Sequence, residues 1–262
     1  MSGTVTVNRD GAVARVTLAR PEVRNAFNAE LIADLHDAFV GLAAEPAGTL
    51  RAVVLAGEGP AFCAGADVTW MRASVALSVE DNEADARRMA EMLDTIDACP
   101  APVVARVHGA ALGGGMGLCA VADVTLAAAD AAFGFTETRL GILPAVISPY
   151  VIARIGEGQA RALFPTGERF DAERALRIGL VHEVLPDEAA LDVRLQAVIV
   201  DLLAAGPVAA RAAKAIIRDQ RGLSTAEKRS LTVGAIARQR VSPEGQEGLT
   251  AYLEKRPPSW RA

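Results

Sequence analysis

Five of the eleven residues in the stretch GAALGGGMGLC, positions 109–119, are glycine. Glycine loses more backbone freedom on folding than any other residue, and proteins use it where the backbone must bend or approach another group closely. The stretch follows PVVARVH at 102–108, an apolar run typical of a buried strand. The glycines therefore predict either a tight bend after this strand or a loop whose backbone amides face a ligand.

Similar apolar runs occur elsewhere in the first half of the chain. Residues 51–59 and 124–129 also predict buried strands, and apolar residues at helical spacing over about 82–98 predict an amphipathic helix. Near the N-terminus, two β-rich runs flank Asp10-Gly11, which predicts a hairpin over 5–19. Strands that alternate with helices predict an α/β fold with largely buried strands.

The last third of the chain is predicted to be helical. Ser224 and Glu227 have the spacing of a capping box, and Ser242 precedes a proline in the manner of a helix N-cap. We expect residues 1–195 to form the core domain and 196–262 a helical region. The helical region is predicted to depend on the core, because roughly 65 residues of helix bury little apolar surface alone.

Composition and charge exclude several classes of protein. Apolar residues make up 51% of the 262 residues, which excludes a disordered chain, and a net charge of −5 without a basic run argues against nucleic-acid binding. No signal-like segment or membrane-spanning apolar stretch is present, so no membrane partner is expected. Three scattered cysteines form no C-x-x-C pair, and no ligand cluster has metal spacing. We expect a cytoplasmic protein without a metal.

A dinucleotide-binding loop is one interpretation of the glycines. Residues 115–120 fit G-x-G-x-x-A, a strand precedes them, and Asp130 is placed to bind a ribose. That fingerprint opens directly after its strand, however, whereas here residues 108–114 intervene. The helix between Gly117 and Val124 would also be too short for a parallel crossover. A bend that only permits tight packing is the simpler alternative.

A second loop of small residues favours a different function. FCAGADV at 62–68 follows the strand at 51–59 and a GEGP turn. Two strand ends with small side chains and free N–H groups provide what an oxyanion hole needs, because its donors must lie within about 3 Å of the developing negative oxygen. The helix after the glycine stretch adds a dipole that favours negative charge at its N-terminus.

In their order along the chain, these segments resemble the crotonase, or enoyl-CoA hydratase/isomerase, superfamily. The resemblance covers nearly the whole chain and rests on several separate motifs. They are PEVRNAFN at 21–28, FCAGADV at 62–68, VHGAALGGGMGL at 107–118, FGFTETRLGILP at 133–144 and EGLTAYLEKR at 247–256. The resemblance implies an α/β spiral of ββα turns with a C-terminal helical trimerisation region. It further implies a homotrimer or dimer of trimers that acts in fatty acid metabolism.

The resemblance also implies acyl-CoA thioester substrates, with no cofactor apart from the CoA of the substrate. The amides of Ala66 and Gly114 match the two oxyanion donors, which would polarise the thioester carbonyl and stabilise an enolate. The residues that it places against the substrate are Arg24, Ala26, Ala64, Asp67, Val68, Leu112, Gly115, Gly117, Ala145 and Lys255. Among these, Arg24 and Lys255 are candidates for binding the CoA phosphates. Asp67 is more typical of a local helix cap than of a second catalyst.

Hydratases of this superfamily typically carry two catalytic glutamates, and only one has a counterpart here. The first position is occupied by Gly117, whereas the second matches Glu137, the predicted acid and base. A single carboxylate suffices for isomerisation of a 3-enoyl-CoA, and it suffices for hydration if it deprotonates water and then passes the proton on. Residues 139–151 are similar to hydratases of branched or carboxylated substrates of the methylglutaconyl-CoA type. This similarity favours hydration slightly; a catalytically weak acyl-CoA-binding relative is the remaining alternative.

Overall fold

Nine strands in two sheets form the centre of the computed structural model, which describes residues 3–261. The strands are β1 Val5–Asp10, β2 Val13–Leu18, β3 Ala52–Gly57, β4 Val103–Val107, β5 Ala110–Leu112, β6 Val124–Ala128, β7 Ala132–Gly134, β8 Arg169–Asp171 and β9 Glu183–Leu185. The larger sheet has the order β1-β2-β3-β4-β6-β9, and the smaller has the order β5-β7-β8. From β2 to β9 the neighbours in the larger sheet are parallel.

Ten α-helices surround the sheets. They are α1 Ala29–Ala43, α2 Val68–Ser74, α3 Val79–Asp97, α4 Gly114–Val121, α5 Ser148–Leu163, α6 Ala172–Arg177, α7 Glu188–Ala204, α8 Pro207–Asp219, α9 Thr225–Val241 and α10 Pro243–Leu253. Local sequence accounts for several starts. The side chain of Asn28 accepts a hydrogen bond from the Leu31 amide at the start of α1, and Ser224 and Glu227 form the predicted capping box at α9.

The chain winds as a spiral of strand–strand–helix turns. β4, β5 and α4 form one turn, and β6 and β7 begin the next. β4 pairs with β6 and β5 pairs with β7, both in parallel, so that successive turns stack in register. The predicted α/β spiral is therefore confirmed. In the N-terminal hairpin, Asp10 pairs with Val13, which places the two-residue turn at Gly11-Ala12, one residue later than predicted.

The larger sheet is covered on both faces. Alternate strand residues such as Val53 and Leu55 join the main core, whereas Val54 and Val104 pack against Leu191 and other apolar residues of α7. α7 runs unbroken across residue 195, so the predicted domain boundary falls inside a helix that packs on the sheet. The helices that follow, α8 to α10, expose many apolar side chains.

Within residues 3–261, no single helix has the length and apolarity to cross a membrane. The bent pair α7–α8, with 104° between its helices, passes the same test on length and composition only. Several of the apolar residues of α7, among them Leu191, Leu195 and Ile199, are buried against the larger sheet.

Candidate active site

A cavity of about 370 Å³ lies between the two loops of small residues, helices α2 and α3, and the segment 136–147. Its walls are mainly apolar, with Trp70, Met71 and Met89 among the larger side chains. Glu137 lines the cavity together with the backbone of both loops, as shown by Ala66 and Gly114. The cavity thus brings a carboxylate and both predicted oxyanion donors to one place.

The backbone of Ala66 presents its N–H group on the side of the loop away from the core. Ala66 forms a parallel bridge with Phe27, in which the Phe27 amide donates to the Gly65 carbonyl and the Asp67 amide donates to the Phe27 carbonyl, at 2.7 and 2.8 Å. A parallel bridge uses the groups that flank the central residue and leaves that residue's own N–H pointing the other way. The amide of Ala66 is therefore available to a ligand.

The amide of Gly114 is available because of its place in a helix. Gly114 is the first residue of α4, and the first N–H groups of a helix have no partner within it. A parallel bridge between Cys63 and Ala111 fixes the two loops side by side. Ala66 and Gly114 each lie three residues beyond this bridge, so both donors follow the same anchor point.

The glycines of the stretch meet three separate steric demands. A Cβ on Gly114 would lie 2.7 Å from Cδ2 of Phe27, and one on Gly115 would lie 2.6 Å from the Cys63 carbonyl oxygen. Gly113 has φ +48°, a conformation that L side chains rarely adopt, and its Cβ would lie 3.2 Å from Oε1 of Glu137. The same run of glycines therefore permits tight packing and is also compatible with an amide of Gly114 that faces a ligand.

Glu137 is held in a short 3-10 helix, Thr136–Leu140, directly after β7. Among the described residues, its Oε2 atom is buried without a hydrogen-bond partner. Burial raises the pKa of the Glu137 carboxyl above its ordinary value, and a backbone hydrogen bond only partly offsets that effect. A carboxyl with a raised pKa and a free oxygen facing a cavity is suited to receiving and returning a proton.

Gly117 does not face the cavity. It is buried in α4, and a Cβ there would lie 2.5 Å from Cγ2 of Ile147 and 3.5 Å from Cδ2 of Leu93. Ile147 itself lines the cavity, so its side chain occupies the space between Gly117 and the substrate region. The structure therefore places no carboxylate, and no room for one, at this position.

Asp67 belongs to a clamp that supports the first loop. Its carboxylate accepts a hydrogen bond from the Thr69 amide at the start of α2 and one from Nη2 of Arg20 at 2.9 Å. Arg20 also donates to the carbonyl of Ala26. Burial alone would raise the pKa of Asp67, but the hydrogen bonds from Arg20 and from two backbone amides outweigh it and lower the pKa. The prediction of Asp67 as a local cap is confirmed, and its placement against the substrate is not.

The remaining predicted residues divide into two groups. Ala64 and Ala145 line the cavity, as Ala66, Gly114 and Glu137 do. The structure does not bring the others to its wall, and the reasons differ. Four of them are buried behind the loops, namely Ala26, Leu112, Gly115 and Gly117. Three are exposed outside the cavity, namely Arg24, Val68 and Lys255.

Two contributors were missed. Arg20 could not be identified from the sequence, because its separation of 47 residues from Asp67 leaves no local signal for the pair. Asp85 lines the cavity from α3, and its spacing of four residues from Met89 was a usable signal, because such residues share a helix face. Trp70 and Met71, which follow the first loop, also line the cavity.

No cluster of three metal-ligating side chains occurs within residues 3–261. His108 is buried, and both its ring nitrogens are occupied, one by the Gly59 carbonyl at 2.8 Å and the other by Arg106 at 3.1 Å. Burial raises the pKa of the Cys63 thiol to about 12, so this group is neutral at physiological pH. Neither side chain competes with Glu137 for the acid–base role.

Known proteins are similar to this chain over nearly their full length. The chain is 31% identical over 256 residues to a crotonyl-CoA hydratase of Syntrophomonas wolfei, covering 96% of this chain and 95% of the relative. A crystal structure of an enoyl-CoA hydratase from Shewanella pealeana superposes with a TM-score of 0.93 at 35% identity, covering 98% and 96% of the two chains. Pseudomonas aeruginosa AtuE gives a TM-score of 0.95 at 38% identity, with 99% and 100% covered.

A sequence profile described as enoyl-CoA hydratase/isomerase matches residues 8–262. The match spans both loops of small residues, the Glu137 segment and the C-terminal helices. By its sequence, its fold and the composition of its cavity, the chain belongs to the enoyl-CoA hydratase/isomerase family.

Proposed function

We propose that the protein hydrates 2-enoyl-CoA thioesters, with Glu137 as the only acid–base group and the amides of Ala66 and Gly114 as the oxyanion hole. One observation carries the proposal. Glu137 has a free, buried carboxylate oxygen in the same cavity as both donor amides, while the first family glutamate is replaced by Gly117 and the space beside it is filled by Ile147.

The reaction follows from this geometry in two steps. Glu137 removes a proton from water as the hydroxyl oxygen bonds to the β carbon, and the electrons of the double bond move to the thioester oxygen. The two amides stabilise the resulting enolate, an effect worth about 2.7–4 kcal/mol for one donor. The protonated Glu137 then delivers its proton to the α carbon, which restores the carboxylate and adds water overall.

Water needs a second contact if one carboxylate is to align it. The backbone amide of Ala145 supplies a candidate, because Ala145 lines the cavity and its N–H has no backbone acceptor among residues 3–261. We assign water positioning to the Glu137 carboxylate and this amide together. Both transfers then take place on the face of the substrate that Glu137 approaches.

A substrate panel tests the assignment. Purified protein is assayed with crotonyl-CoA, for loss of the conjugated double bond, and with a 3-enoyl-CoA, for its appearance. We expect turnover of crotonyl-CoA at a kcat/KM well above that for the 3-enoyl substrate. The reverse order would identify an isomerase that uses Glu137 as its single base, and CoA-ester binding without turnover of either would identify a non-catalytic relative.

Binding of the CoA phosphates and assembly of subunits complete the proposal. Arg24 and Lys255 lie outside the cavity on the surface, where they are free to meet anionic groups of a bound CoA. Exposed apolar side chains on α8 to α10, including Ile217, Val233 and Leu249, support a homotrimer or a dimer of trimers. Sedimentation velocity tests this assembly, and a single monomeric species would refute it.

The free cysteines support a reducing compartment. Cys63, Cys99 and Cys119 are all buried and unbridged in the structure. We propose a cytoplasmic location on this basis and on the composition of the chain. Fractionation of the source cells, with detection by antibody, tests it.

A further inference from the structure

The part of the cavity between α2 and α3 has a charge that the proposed chemistry does not use. Asp85 lies on α3 and lines the cavity, and its side chain is only 14% exposed although most neighbours on this helix turn face solvent. Ser74 and Asn82 line the same part. These three polar residues lie among apolar walls that include Met71 and Met89.

The polar hydrogen atoms of Ser74 and Asn82 already form hydrogen bonds within the protein. The Ser74 hydroxyl donates to the Met71 carbonyl at 2.8 Å. The amide of Asn82 donates to the carbonyls of Ser74, Leu77 and Ser78, the last at 3.0 Å. What remains for a ligand is the Asn82 carbonyl oxygen, the Ser74 lone pairs and the Asp85 carboxylate, all of which are acceptors.

No positive side chain compensates on the cavity side. No arginine or lysine is found among the cavity-lining residues within 3–261; the indole N–H of Trp70 is a neutral donor. Arg88 pairs with Asp85 at 3.2 Å, but its own side chain is 58% exposed and lies outside the cavity wall. The Asp85 carboxylate therefore stands between this guanidinium and the space that a substrate would enter.

We propose that Asp85 makes this enzyme select acyl-CoA substrates with neutral acyl groups and reject those whose acyl group ends in a carboxylate. The proposal rests on the acyl-CoA function proposed above and names its substrate class. An anion in the cavity would meet Asp85 with no cation among the cavity-lining residues, because Arg88 contacts Asp85 from outside the wall, and specificity is often achieved by such unfavourable contacts with the wrong ligand. The charge of Asp85 therefore argues against a carboxylated substrate, although residues 139–151 are similar to hydratases that act on such substrates.

The test compares two substrates of nearly equal shape, glutaconyl-CoA and 5-methyl-2-hexenoyl-CoA, which carry a carboxylate and an isopropyl group at the same position. We expect the native enzyme to favour the neutral ester by at least about tenfold in kcat/KM, the size of effect that like charges several ångströms apart produce in a partly solvated site. Asp85→Asn should reduce this ratio several-fold, and Arg88→Ala should increase it, because it removes the cation that pairs with Asp85.

Glu83→Gln is the matched control, since Glu83 is an exposed carboxylate on the same helix and does not line the cavity. It should leave the ratio unchanged. A ratio near one in the native enzyme, or a ratio that neither Asp85→Asn nor Arg88→Ala moves, would overturn the proposal. Activity on crotonyl-CoA, measured in parallel, separates this failure from failure of the hydratase function itself.

Discussion

Substituting alanine for Gly117 would place a methyl group against the wall of the cavity. The new Cβ would lie 2.5 Å from Cγ2 and 3.2 Å from Cβ of Ile147, a side chain that is 2% exposed. Carbon atoms pack at about 3.5–4.0 Å, so Ile147 must retreat by roughly 1 Å into a filled core or towards the substrate. Forced repacking of this kind costs about 1–3 kcal/mol of unfolding free energy.

The matched control is Gly41→Ala. Gly41 is an exposed residue inside α1, and a Cβ there meets nothing within 4 Å, so this substitution should stabilise the protein by about 0.5–1 kcal/mol through helix propensity. Urea unfolding at one protein concentration, followed by circular dichroism, measures both variants. The same substitution in helices α1 and α4 should thus change stability in opposite directions.

A double-mutant cycle isolates the contact. Ile147→Ala alone should cost about 2–5 kcal/mol, because it leaves a cavity. Combined with Gly117→Ala it should cost less than the sum of the two, by about 1 kcal/mol, since the Cγ2 atom that clashes is gone. If Gly117→Ala matched Gly41→Ala in stability, or if the two changes were strictly additive, Ile147 would not fill the space of the missing carboxylate.

Three further outcomes follow from the same contacts. Arg20→Met should destabilise the protein by about 3–5 kcal/mol, because it leaves the Asp67 carboxylate, which is 9% exposed, without its partner. In the same urea assay, the double variant with Asp67→Asn should recover part of this lost stability. No recovery would refute the clamp formed by Arg20 and Asp67. Since the pKa of Asp67 is lowered in the folded protein, the stability from its ionised form is present above the ordinary carboxyl pKa and should be lost as pH falls through the folded value. Because burial raises the pKa of Glu137, its ionised form weakens the fold at neutral pH. Glu137→Gln should therefore raise the stability of the protein at pH 7, and this gain should disappear in acid. For the native enzyme, the acid limb of the kcat/KM profile should have its midpoint above pH 4.5. A midpoint at or below that value would contradict the burial of this carboxyl.

Much of the fold could be predicted because the determining signals are local. The apolar runs at 51–59, 102–108 and 124–129 became β3, β4 and β6, and α9 begins with the capping box predicted at Ser224 and Glu227. The predicted boundary at residue 195 falls inside α7. Residues along nearly the whole of this helix, from Leu191 to Leu203, pack on the larger sheet, and that tertiary contact, rather than any break in sequence pattern, determines where the sheet-packed region ends.

The candidate site was predictable where motifs carry its chemistry and not where packing does. Glu137, Ala66 and Gly114 were identified from their motifs, and the structure brings all three to the cavity. That Gly117 faces Ile147 depends on a contact across 30 positions of the chain, which no local pattern reports. The small residues around the donors were assigned to the substrate as a group, although Gly115 is small because it packs against the Cys63 backbone.

Turnover of crotonyl-CoA by Glu137→Gln shows whether Glu137 alone moves both protons. The amide keeps the shape of the side chain but cannot accept a proton from water. We predict that kcat falls by about 10²–10⁴-fold while KM stays within a few-fold of the native value, because substrate binding through Ala66 and Gly114 is retained. A Glu137→Gln variant that hydrates crotonyl-CoA at a kcat within a few-fold of the native enzyme would show that another group moves these protons.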